Sequence, residues 1–198
     1  MKNLLLFAIV AISFSACQSD NIEPINPNDK NNLTIEFDNI VGAQNLALGS
    51  TKYTNASGED FTVTTLNYFV SNISLKKTDG TSVTMADQYF LVKEVDPTSL
   101  TPVLKDVPAG DYASMTFTIG VDSLKSISAV DQRTGCLDPA SYGTDNMYWS
   151  WNSGYIFFKM EGISSKAPAK SAGLNKFQYH IGGGGGRTSA TANNLRKV

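Results

Sequence analysis

Apolar and polar residues alternate along most of this chain with a period of two, the period at which side chains share one face of a β-strand. Leu33, Ile35 and Phe37 alternate with polar neighbours and predict a half-buried strand over 33–37. Residues 61–66 run on into 68–75, where Ile73 and Leu75 alternate with Asn72 and Ser74. Asp79-Gly80 is a hairpin-turn dipeptide, and 81–85 reads as the returning strand. Residues 89–93 are an almost continuous apolar run and predict a strand buried on both faces. A turn over 107–112 leads into a strand over 114–121, whose Met115, Phe117, Ile119 and Val121 share one face. Residues 155–160 and 177–181 are later strands, and only 123–127 looks like a short helix or turn. Strands separated by turn residues predict an all-β fold, an immunoglobulin-like antiparallel β-sandwich.

The ends of the chain follow other patterns. Lys2, the uncharged apolar run 4–12 and Ser15-Ala16-Cys17 read as a secretory signal over 1–16, too short to be a stable membrane span. Two small residues before a cysteine match a lipobox, so cleavage is expected before Cys17 and a lipid on its sulfur. An ordinary signal with an incidental cysteine is the alternative. Residues 17–31 are rich in Asn, Asp and Pro without apolar periodicity, and read as a flexible tether. That leaves one domain over 32–198, attached to the membrane through Cys17 in the cell envelope, on an outer-membrane lipoprotein facing the periplasm or the cell surface. Gly182 to Gly186 and the polar residues after them read as a poorly ordered tail from about residue 182. A sandwich that stops there would expose an edge, so the chain is expected to lack one or more final strands; a disordered tail after the last strand is the alternative.

Composition narrows the chemistry. The formal charge is −2 and no basic cluster exists, so nucleic acid is not an expected partner. There are two cysteines; with Cys17 lipidated, Cys136 is an odd thiol that is buried, paired with another chain or bound to a soft metal. His180 is the sole histidine and stands near the end, after every aspartate and every serine but Ser189; no metal-hydrolase, phosphate-loop or dinucleotide motif occurs, and no enzyme activity is expected.

Met147-Tyr148-Trp149-Ser150-Trp151-Asn152-Ser153-Gly154-Tyr155 and its continuation to Gly162 resemble MbnP-like proteins, periplasmic or surface lipoproteins related to a methanobactin-associated copper protein. Segments 68–73, 107–112, 117–122, Gly135-Cys136-Leu137-Asp138-Pro139 and Tyr179-His180-Ile181-Gly182-Gly183 match as well, so the resemblance covers about 32–190. It implies a β-sandwich, copper handling and a partner di-haem peroxidase of the MauG type, which in characterised relatives oxidises a tryptophan. Relatives continue with further strands beyond the His-Ile-Gly-Gly point.

Copper takes imidazole, thioether and thiolate donors. His180 with Met147 and Cys136 is the candidate set; the alternative is a hydrogen-bonded strand histidine and a core methionine. On a strand Trp149 and Trp151 would share a face, with Tyr148 and Tyr155 adding aromatic surface. Core packing, a platform for sugar rings, or donation of electrons to a docked haem enzyme are their three readings. Trp149, Trp151 and Tyr155 are thus the candidate oxidisable or partner-contact aromatics. The sequence reads as a lipid-anchored copper-binding or copper-delivery protein, with a surface lipoprotein binding glycans or a protein partner, without metal, as the alternative.

Overall fold

The computed structural model describes residues 24–26, 28–151, 154–169, 175–183 and 192–198. The signal, Cys17 and most of the tether lie outside the described residues. Thirteen strands and one helix occur among those described: β1 (Lys30–Thr34), β2 (Ile40–Val41), β3 (Gln44–Asn45), β4 (Tyr53–Thr54), β5 (Asp60–Lys77), β6 (Ser82–Met85), β7 (Phe90–Lys93), β8 (Val103–Pro108), β9 (Tyr112–Ile119), α1 (Ser123–Ser126), β10 (Tyr148–Trp149), β11 (Gly154–Ser164), β12 (Lys176–Gly182) and β13 (Arg196–Lys197). All pairings are antiparallel, and the fold is the all-β, sandwich-like one that the alternation predicts.

The 18-residue β5 organises the molecule. Its first half pairs with β11, Tyr68 opposite Phe158, and its second half pairs with β9, Val70 opposite Ile119. On its other side it passes from β7 to β6. The change of partners coincides with a bulge between Ser71 and Ser74, where Asn72 takes a left-handed backbone with φ 51°. A bulge bends a strand and sharpens its twist, and Asn tolerates positive φ better than most residues, so one chain segment serves both layers.

Alternation along β5 divides the interior in two. Leu66, Tyr68, Val70, Ile73 and Leu75 join Ile35, Val92 and Leu104 in one apolar cluster. Phe69 faces the other way and joins Val121, Leu137, Tyr142, Met147, Tyr155 and Phe157 in a second. The long connection between β9 and β10 supplies that second cluster with its cover. It begins with α1, capped by the Asp122 carboxylate accepting from the Lys125 amide, and continues as 3-10 turns. Within the cover Tyr142 donates to the Cys136 carbonyl (2.8 Å), and Tyr155 of β11 donates to the Leu137 carbonyl (2.6 Å), which pins the cover to β11.

Several expectations are corrected. The run at 89–93 is packed on both faces, Phe90 and Val92 against the first cluster and Tyr89 and Leu91 against the second, although only Val92 is fully buried. The first strand, β1, begins at Lys30 rather than Leu33 and ends at Thr34, while Ile35 and Phe37 extend the pairing through bonds to the Pro102 and Leu100 carbonyls. The tail read from about residue 182 contains packed chain. β13 pairs with β9, Phe117 and Val198 exchange both backbone bonds, and Leu195 packs on the second cluster. No apolar alternation announces so short a strand.

Candidate functional site

The polar face of β11 and β12 meets the end of the long cover. Direct register partners Lys159 and His180 share one face with Glu161 and Gln178, while Phe158, Met160, Phe177 and Tyr179 share the other. The same register continues across the sheet: Lys159 stands opposite Asn67 on β5, and Asn67 opposite Lys93 on β7. A polar row, Lys93–Asn67–Lys159–His180, therefore crosses four strands. Along β11 this face changes from Tyr155 and Phe157, roofed by the cover, to Lys159 and Glu161 just where the cover ends.

Asp145, at that end, closes the row. Its carboxylate takes the Lys93 ammonium (3.1 Å) and its carbonyl accepts from Lys159 Nζ (2.9 Å). Lys159 is 9% exposed and also stands 3.8 Å from Glu161 Oε1. Removing an ammonium from water costs several kcal/mol, so these acceptors are what make its burial tolerable. Glu161 Oε1 in turn lies 2.6 Å from His180 Nε2 and accepts from Gln178 (3.3 Å). Partial burial by itself would raise the Glu161 carboxyl; the His180 hydrogen bond and the Lys159 and His180 charges outweigh it and hold the group below its ordinary value. His180 Nδ1 has no hydrogen-bond partner among the described residues. Asn67, buried, leaves its Nδ2 without one.

The aromatic hairpin begins directly after Asp145. Asn146 Oδ1 accepts from the Tyr148 amide, and the Met147 carbonyl accepts from Ile156. Trp149 stands opposite Gly154 and lies over Gly182 of β12, where an added Cβ would come within 2.7 Å of the indole. Trp151, in the turn, is 72% exposed and tilts against Trp149 at 5.7 Å between centroids. The expected side-by-side indoles are present, although only Trp149 belongs to a strand.

The other sequence candidates lie in the interior. Tyr155 is fully buried, edge-on to Phe69 and Tyr148, and offers no surface to a partner. Met147 is fully buried in the same cluster. Cys136 packs at its edge and donates to the Tyr89 carbonyl (3.2 Å), and burial pushes its thiol up to about 11. His180 belongs to the polar row instead, and no group of three His, Cys, Asp or Glu among the described residues could hold a metal ion. The structure thus groups the two sulfurs apart from the imidazole, and a copper ion held jointly by His180, Met147 and Cys136 does not fit this arrangement. Glu161 and Lys159, which neighbour His180, and Asp145, which holds Lys159, escaped the sequence reading. Lys159-x-Glu161 and Gln178-x-His180 were the available signal, two polar alternations that the register brings face to face.

Arg133 was also missed. It is buried without a carboxylate, donating to the Ser126 and Ser128 carbonyls, with its guanidinium 5.1 Å and 5.3 Å from the Tyr148 and Tyr155 ring centres. Cation–π attraction is strongest where water is absent, so this contact braces the hairpin from below.

Comparison with known proteins assigns the lineage. The MbnP family model matches residues 30–198. The chain belongs to the MbnP family. Among solved structures it is similar to MbnP from Methylosinus trichosporium, at 16% identity and a TM-score of 0.62, over 86% of this chain and 71% of that one. At that identity the likeness speaks for the fold. No curated protein sequence matches. The domain start at Lys30 agrees with the first residue of the MbnP family match.

Proposed function

We propose that this MbnP-family chain is a lipid-anchored copper-binding or copper-delivery protein of the cell envelope. Family membership over 30–198 is the observation that carries the reading. His180 supports it locally. An imidazole oriented by a carboxylate on one nitrogen is a common arrangement for a metal ligand, since the carboxylate fixes the ring and raises its basicity. Glu161 provides that carboxylate, which leaves Nδ1 as the nitrogen for a soft ion. The buried sulfurs of Met147 and Cys136 are not part of this reading. Trp149 and Trp151 would form the contact with a redox partner of the di-haem peroxidase kind.

Copper(I) titration of the purified protein tests this. His180→Ala should weaken binding at least ~10-fold, about 1.4 kcal/mol, because no second imidazole can substitute. Equal affinity in both proteins would remove His180 from any copper site. A second reading, a surface lipoprotein that binds glycans or a protein partner without metal, is favoured by the exposure of Trp151 alone. It predicts no copper binding at all and loss of partner binding in Trp151→Ala.

A further inference from the structure

The indole hairpin and His180 are joined by a closed circuit of contacts. From Asp145 the chain runs through Asn146, Met147 and Tyr148 to Trp149, whose ring lies on Gly182. Two residues back along β12 is His180, which holds Glu161 at 2.6 Å. The circuit returns through Lys159, 3.8 Å from Glu161 and 2.9 Å from the Asp145 carbonyl. Among the described contacts, the Lys159 side chain reaches both Asp145 and Glu161, and so both halves. We propose that Lys159 is a positioning residue whose ammonium, shared between the Asp145 carbonyl and the Glu161 carboxylate, sets the place of the Trp149–Trp151 pair relative to His180.

The physical reason lies in the burial of the charge. An ammonium in water can exchange acceptors freely, but a buried one holds those it has, because leaving either exposes an unpaired charge or carbonyl to low dielectric. Lys93 adds a second tie to the Asp145 carboxylate but does not reach Glu161 or His180 among the described contacts. Removing it loosens one half of the circuit only. The proposal requires no metal at His180, so its outcome is separate from that of the copper reading.

The protein carries one histidine and two tryptophans, so both halves have clean reporters. In a Trp151→Phe background, Trp149 emission and acrylamide quenching report the hairpin, and the His180 ring resonances in metal-free NMR spectra report the other half. Lys159→Met should red-shift Trp149, raise its quenching towards that of free indole and move the His180 resonances, with the β-sheet circular dichroism retained. Lys159→Arg, which keeps the charge and both acceptors within reach, should restore both reporters. Glu161→Gln should move the His180 signals and leave Trp149 in place, since the Asp145 contact survives. Unmoved Trp149 emission in folded Lys159→Met, or an arginine variant that behaves like the methionine one, would overturn the proposal. Should the methionine variant not fold, the arginine and Glu161→Gln proteins decide: wild-type reporters in the first with a His180-only change in the second support it, and a Trp149 shift in Glu161→Gln overturns it.

Discussion

At the scale of single residues, environment decides which polar groups are chemically available. Cys136 is the only free thiol among the described residues, yet apolar surroundings push it up to about 11, so it resists forming the thiolate that soft metals and oxidants need. Glu161 moves the other way, drawn down by His180 and Lys159 against the effect of its burial. A carboxyl whose folded pKa lies below its unfolded value adds stability that is complete above the unfolded value, ordinarily 4.5, and that disappears as pH falls through the lower folded value. The wild-type urea midpoint should therefore fall on acidification below that range more steeply than the midpoint of Glu161→Gln, which has no carboxyl to titrate. Parallel acid limbs for the two proteins would show that the Glu161 network contributes nothing to the folded state.

At the scale of elements, β11 carries contrasting demands along one strand. Its later half is pressed between β5 and β12, and an added Cβ at Gly162 would clash with the Thr62 carbonyl and the Phe177 ring. A register shift between Glu161 and Gly162 marks the same squeeze. At Gly154, where the hairpin starts, the nearest atom to such a Cβ is Trp149 at 3.9 Å, an ordinary contact. Gly162→Ala should then cost about 1–3 kcal/mol by overpacking, while Gly154→Ala should be tolerated. Chemical denaturation of the two variants checks the contrast, and equal midpoints would mean that β5 and Phe177 give way readily. This part of β11 is also where the sequence was least informative. Gly162 looks like a weak point in a strand when read locally, and its need to be glycine comes entirely from neighbours about 15 and 100 positions away.

At the scale of the whole molecule, the domain begins at Lys30, where β1 pairs with β8 and the Asp29 carbonyl accepts from Ala109. The residues before it include Cys17, the proposed site of lipidation. If Cys17 is the attachment point, Cys17→Ser should move the protein from the membrane to the soluble fraction without changing the fold of residues 30–198. An unchanged distribution on fractionation would end the anchor reading. The second apolar cluster gives the same molecule its functional layout. Because Phe69 and Phe157 face away from the sandwich interior, the connection from β9 to β10 must cover them, and its far end delivers Asp145 to Lys159 and the indole hairpin to Gly182.

Local patterns along the chain were enough to establish the all-β class, the Asp79-Gly80 hairpin, the long β5, the shared face of Met115, Phe117 and Ile119, and the short α1, because each depends on neighbours within a few residues; Val121, expected on that same face, lies instead in the second cluster, because β9 ends at Ile119 and Gly120 turns the chain with φ 128°. The indole pair was legible for the same reason. Period two says which residues share a face, but not which face is roofed or which strands lie side by side. Those are settled by long-range pairing, whose partners the local pattern does not name. Only the tertiary structure could therefore place Tyr155 and Met147 in a second core, fold the last residues back onto β9, and part His180 from the sulfurs. It set His180 beside Glu161 and Lys159 because a buried ammonium and an imidazole at a sheet edge both require acceptors, and the register of β11 on β12 supplies them.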